Sequence, residues 1–122
     1  MKNYKLPSKV VDMFTLEDGE EQNKKYPDSF EIPDSYRRNT LKIGGDVKLM
    51  FNITPTMEFK AMAKATKMGI VKEFGERMWV KIVEVTEDGY VGTLANEPIC
   101  NHKIKFGRKI YFEPRHVICT LD

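Results

Sequence analysis

The chain has 122 residues, 41% hydrophobic and 31% charged, with a formal net charge of +2. That length suits one domain with a single core, and that balance excludes a disordered chain. No apolar run approaches the roughly 20 residues of a membrane span, and the charge falls short of the basic stripe typical of nucleic-acid binders.

Met1-Lys2-Asn3-Tyr4-Lys5 carries charge with no apolar stretch behind it, so no secretory signal is expected and the protein reads as cytoplasmic. Two cysteines, Cys100 and Cys119, are too few for a disulfide framework and are expected as free thiols. The charge is unevenly spread. Residues 1–34 hold 5 Lys and Arg against 8 Asp and Glu, whereas residues 35–122 hold 15 against 10.

Residues 1–27 read as a loosely organised N-terminal segment ahead of a single α+β domain at 28–122. Within it, Ser8 is placed to cap a short helix with Val10, Val11 and Phe14 on its apolar side. Residues 16–29 are polar, with Gly19 and Pro27 as breakers, and read as an exposed loop. Pro33 and Asp34 then open a short helical turn through Leu41, which Gly44-Gly45-Asp46 closes.

Val47, Leu49, Phe51 and Ile53 alternate as one face of a strand. The main helix is expected near 55–68, with Thr54 as N-cap, Pro55 at N1, Lys64 and Lys67 in the last turn and Gly69 at the C-terminal cap. Its apolar stripe is Phe59, Met62, Ala63 and Thr66. A long strand follows at 76–86, and Asp88-Gly89 marks a hairpin into residues 90–95. Two further strands are expected at 108–112 and 116–121, with Ile104, Phe106, Ile110 and Phe112 pointing inward and Lys103, Lys105, Arg108, Lys109 and Arg115 guarding an edge.

Leu41-Lys42-Ile43-Gly44-x-x-Val47-x-Leu49 is echoed by Ile104-Lys105-Phe106-Gly107-x-x-Ile110-x-Phe112. In each, an apolar-Lys-apolar-Gly turn delivers the chain into an alternating strand. Five or so short strands plus one helix define an α+β fold, mainly an antiparallel and strongly bent sheet. An SH3-like or partly open small barrel fits it best.

Period-two alternation puts Met78, Val80 and Ile82 on one face of the long strand and Arg77, Trp79, Lys81, Val83 and Val85 on the other. A two-residue hairpin loop would bring Val83 opposite Leu94 and Val85 opposite Gly92, with Tyr90 beside Trp79. A three-residue loop would bring Val83 opposite Thr93 and Val85 opposite Val91. Two readings of Trp79 stand side by side. It is a partly buried ring whose basic neighbours lay their stems over it, or it forms an aromatic–basic platform with Arg77 and Lys81.

The stretch 75–99, with Met78-Trp79-Val80 followed by Gly92-x-Leu94-x-Asn96-x-Pro98, then Lys105-x-Gly107 before a final strand, resembles a family of small bacterial domains of unknown function. The resemblance covers roughly residues 75–118 and brings no catalytic residues. This chain lacks the Asp-Trp pair that closes some members, and its segment 54–69 also departs from them. Small domains of this general kind occur beside toxins, so the resemblance implies an immunity or inhibitor role by analogy.

Cys100-x-His102 and His116-x-x-Cys119 gather every Cys and His of the chain near its end. The spacing is tighter than a zinc knuckle, and His116 and Cys119 on one strand would face opposite ways, so no metal or other cofactor is expected. The plainer reading has Cys119 in the core beside Val117, and Cys100 and His102 in a loop. No Cys–His pair has a third group to orient it, and Gly44-Gly45 lacks the Lys-Ser/Thr of a phosphate loop, so no enzyme activity is expected. The function read from the sequence is non-catalytic protein binding through Arg77, Trp79, Lys81 and Tyr90. The alternative is an RNA- or single-stranded-DNA-binding barrel using the same face.

Overall fold

The fold is seen in a computed structural model that describes residues 4–66 and 72–121. Along the chain it has α1 (Lys9–Asp12), β1 (Phe14–Leu16), α2 (Gly19–Lys25), α3 (Ser35–Asn39), β2 (Asp46–Ile53) and α4 (Met57–Ala65). It continues with β3 (Phe74–Val85), β4 (Tyr90–Leu94), β5 (Lys109–Phe112), a 3-10 turn (Pro114–His116) and β6 (Val117–Leu121). The strands make one antiparallel sheet curled into a half-barrel, the small bent-sheet α+β fold expected from the alternation.

β2 organises it. Its residues alternate strictly between half-buried and buried, and Val47, Leu49, Phe51 and Ile53 are wholly enclosed. One edge pairs with β3 along its whole length, from Asp46 opposite Lys81 to Ile53 opposite Phe74. The other edge is shared. β6 takes Asp46 to Leu49, and β1 takes Phe51 to Ile53. β4 and β5 extend the sheet beyond β3, and the 3-10 turn carries the chain from β5 to β6, which pairs with β2. Met78, Val80, Ile82, Leu94, Ile110 and Phe112 complete the inner face.

Two β-bulges set which side chains face inward. One falls after Ile82, so that Ile82 opposes Gly92 while Glu84 opposes Val91, and Val83 is the extra residue. The other makes Ile118 the extra residue between Val117 (opposite Leu49) and Cys119 (opposite Lys48). Neither hairpin register read from loop length is formed. The connection runs Thr86–Gly89, with the Thr86 N–H donating to the Gly89 carbonyl at 2.8 Å, and the bulge displaces the pairing.

The echoed motif is one structure used twice. In each copy the first lysine's carbonyl accepts the N–H three residues on: Gly45 to Lys42 at 3.0 Å, Arg108 to Lys105 at 3.2 Å. Gly44 and Gly107 take positive φ, 92° and 86°. These are type II turns, which need that conformation at their third residue. Each glycine N–H also donates to a neighbouring strand, Gly44 to Ile82 and Gly107 to Leu94. The second turn residue, Ile43 or Phe106, is left outside. Phe106 therefore does not point inward as alternation predicted: residue 106 sits in a turn, where period two does not apply.

The helix after β2 begins later than expected. Thr54 is still held by the sheet, its N–H donating to the Met13 carbonyl, so the cap falls on Thr56, which accepts the Phe59 N–H at 3.2 Å. Of the expected stripe only Phe59 and Ala63 are buried, and Phe59 meets Phe74 edge-on at 5.3 Å. Lys67 and the Gly69 cap lie outside the described residues.

The segment expected to be loosely organised joins the same core. Phe14 is wholly buried and its ring lies 5.3 Å from that of Phe51. α2 is tied down by ion pairs: Glu20 with the buried Arg38 at 2.5 Å, and its cap Asp18 with Arg115 at 3.1 Å. Arg38 also donates to the Pro33 and Pro114 carbonyls, linking α3 to the 3-10 turn. The apolar residues that anchor the segment are Phe14 with Met13 and Leu16 packed against the core beside it, too few to show as periodicity.

Stability measurements on four variants check this account. Gly44→Ala and Gly107→Ala should each cost about 1–2 kcal/mol from backbone strain alone, since a Cβ at either meets nothing within 4 Å. Gly75→Ala, in extended backbone with Met50 Sδ at 3.7 Å, should stay within about 0.5 kcal/mol of the parent. Phe14→Ala should cost about 3–5 kcal/mol in urea denaturation, as for any ring removed from a closed core.

Candidate functional site

The outer face of β2 and β3 is built from the residues that alternate with the core. Three cross-strand pairs cover it: Asp46 with Lys81, Lys48 with Trp79, and Met50 with Arg77. Each basic group has a local partner. Lys81 Nζ lies 3.0 Å from the Asp46 carboxylate and donates to the Gly44 carbonyl at 3.3 Å. Lys48 Nζ stands 4.7 Å from the centre of the Trp79 ring, and the Arg77 guanidinium lies 5.2 Å from that of Phe30. Cation–ring contacts of this kind contribute about 0.5–1 kcal/mol each at exposed sites.

Trp79 is half-buried, outside the core and under the Lys48 ammonium. Its backbone is fixed by the turn that follows β4: its N–H donates to Asn96 Oδ1 at 2.7 Å and its carbonyl accepts the Ala95 N–H at 2.9 Å. The ring is thus carried on a rigid strand. Arg77, Trp79 and Lys81 share one face, as alternation predicted.

Tyr90 does not join them. It is buried on the inner face, its ring 5.4 Å from Phe112, its hydroxyl donating to the Arg38 carbonyl at 2.8 Å and accepting the Leu41 N–H at 3.3 Å. The bulge at Val83 is the cause. It inverts the alternation between Trp79 and Val85, so Val85 and its partner Tyr90 lie on the side opposite Trp79. On the outer face of the hairpin, Tyr4 stacks on Tyr111 at 5.5 Å, and its hydroxyl bonds to Glu84. The N-terminal residues thereby cover the β4–β5 end of this face.

The cysteines and histidines do not converge. Among the described residues no group of three or more His, Cys, Asp or Glu is placed to hold a metal ion. Cys100 lies in a loop, as expected, and is buried there, whereas Cys119 is exposed rather than in the core, because the bulge at Ile118 turns it outward beside Lys48. Burial, with the Glu76 carboxylate beside it, pushes the Cys100 thiol up to about 12, so it stays protonated. His102 is exposed, while His116 is buried with Nδ1 accepting the Glu113 N–H at 2.9 Å. This reciprocal cap of the 3-10 turn gives His116 a structural role.

Lys48 and Phe30 were not singled out in the sequence, because each reaches the site from another segment. Alternation placed Lys48 on the outer face of its strand, but its register against Trp79 rests on the full β2–β3 pairing. No family model matches the chain, and no curated protein or solved structure matches it.

Burial lowers the His116 pKa to about 4, below its ordinary value near 6.5. The unfolded chain therefore binds this proton more readily, and stability supplied by neutral His116 is lost as pH falls from about 6.5 towards 4. Urea midpoints of the parent should drop across that interval more steeply than those of His116→Asn.

Proposed function

We propose that the protein is a non-catalytic protein-binding module that uses the outer face of β2 and β3, with Trp79 as its anchor. The observation that supports this most is the local pairing of the face. Lys81 is turned to Asp46, Arg77 to Phe30 and Lys48 to the Trp79 ring itself. A nucleic-acid platform needs cations turned to phosphates and a ring face open to a base, and here an ammonium already stands over the ring. A half-buried aromatic on a rigid strand, rimmed by satisfied charges, suits a protein interface better. The resemblance of residues 75–118 to small bacterial domains adds an immunity or inhibitor role as the setting of that binding.

The test starts from host lysate, with tagged protein recovered from nuclease-treated and untreated halves. A partner retained in both halves should bind at least about tenfold more weakly to Trp79→Ala, with the variant's fold checked by thermal melting. The parent's affinity should change little between about 50 and 200 mM salt, an interval over which a nucleic-acid complex making 6–10 phosphate contacts would lose roughly a thousandfold or more. Trp79 is the sole tryptophan, so its emission reports the contact directly.

A further inference from the structure

The connection between β4 and β5, residues 95–108, is irregular yet fastened at many points. Pro98, Cys100, Asn101 and Ile104 are buried. The Glu76 carboxylate accepts the Ile99 N–H at 3.0 and 3.1 Å and the Cys100 N–H at 3.3 Å. Asn101 donates to the Thr54 carbonyl at 2.8 Å and accepts the Lys103 N–H at 3.0 Å. The Cys100 carbonyl accepts the N–H of Thr56, the cap of α4, and Gly107 closes the loop onto Leu94 at 2.7 Å.

This scaffold holds three large apolar side chains in water. Ile99 is 77% exposed, Phe106 69%, and Met57, in the first turn of α4 beside the loop, 76%. Phe106 is outside because it is the second residue of a type II turn, not because the turn is loose. Scattered apolar residues on a surface need no explanation, but several presented by one fastened loop and the helix turn bonded to it do. Around them are His102, Lys103 and Lys105, all exposed. Two carboxylates sit among the lysines: Glu97 accepts the Phe106 N–H at 3.4 Å, and Glu58, in the first turn of α4, is held below its ordinary value by its own backbone N–H and the Thr56 hydroxyl, with the charge of Lys103 adding to this.

We infer that this loop is a second docking element of the module, and that it takes a protein surface with an apolar depression whose rim carries acidic groups for Lys103 and Lys105 beside basic ones for Glu58 and Glu97. Phe106 and Ile99 enter the depression, and Lys103 and Lys105 meet the rim. The interspersed Glu58 and Glu97 set a pattern of both signs, which selects a patterned protein surface over a uniformly anionic lipid or nucleic acid. The inference rests on the protein-binding reading and names the chemistry of the partner. Loop and Trp79 adjoin through Asn96, which bonds the Trp79 N–H.

The test places photoreactive benzoylphenylalanine singly at positions 106, 77 and 36 of the full chain in host cells. Tyr36 is 80% exposed on α3, which packs on the 3-10 turn. Positions 106 and 77 should label the same protein and position 36 should not. The peptide labelled from 106 should carry Asp or Glu, and Lys103→Glu with Lys105→Glu should cut its yield on the order of fivefold while thermal melting shows the fold intact. Labelling from 77 but not 106 would overturn the loop and leave the protein-binding reading standing. Labelling from neither would overturn both. Lipid or nucleic acid labelled from 106, a yield untouched by charge reversal, or equal labelling from 36 would each overturn the inference.

Discussion

The structure depends on the double pairing of β2. A strand that is paired along both edges has no main-chain group left to satisfy, so its alternation can be strict and its inner side chains fully dry. One edge of β2 is divided between β6 and β1 in a sheet curled into a half-barrel. The inner faces close around Phe51 and Leu49, both wholly buried. The same pairing fixes the outer face. Because Asp46, Lys48 and Met50 alternate with the core, they meet Lys81, Trp79 and Arg77 at set positions, and the charge pattern there is a by-product of the core register.

Single extra residues then decide which groups are available. Val83 and Ile118 each shift the alternation downstream by one step. Through the first, Tyr90 leaves the outer face and becomes a buried strut between the sheet and the segment that contains Arg38 and Leu41. Through the second, Cys119 is turned out of the core. Surface chemistry in this protein is thus set by defects in the ladder as much as by side-chain identity.

Much of the fold was legible in the sequence, because β2 and the first half of β3 alternate cleanly and Ser8, Asp34 and the echoed glycine turns carry local signals. Most of what could not be read depends on a distant segment. The bulges are visible only against their partner strands. Thr54 looks like a cap until Met13 claims its N–H. Phe14 anchors the first segment through a contact with Phe51 that leaves no local pattern. Arg77, Trp79 and Lys81 were found together because they lie two apart on one strand. Tyr90 was misplaced because its face hung on the hairpin register.

The paired type II turns separate two demands that usually collide in small proteins. Gly44 and Gly107 carry the conformational requirement, and the neighbouring lysine carbonyls close the ring, so the residue between them is asked for nothing. Positions 43 and 106 are then free to change identity without disturbing the sheet. A lineage could swap the side chain it shows to the outside while its core stays constant, which makes these turns the natural place for recognition to diverge between otherwise similar chains.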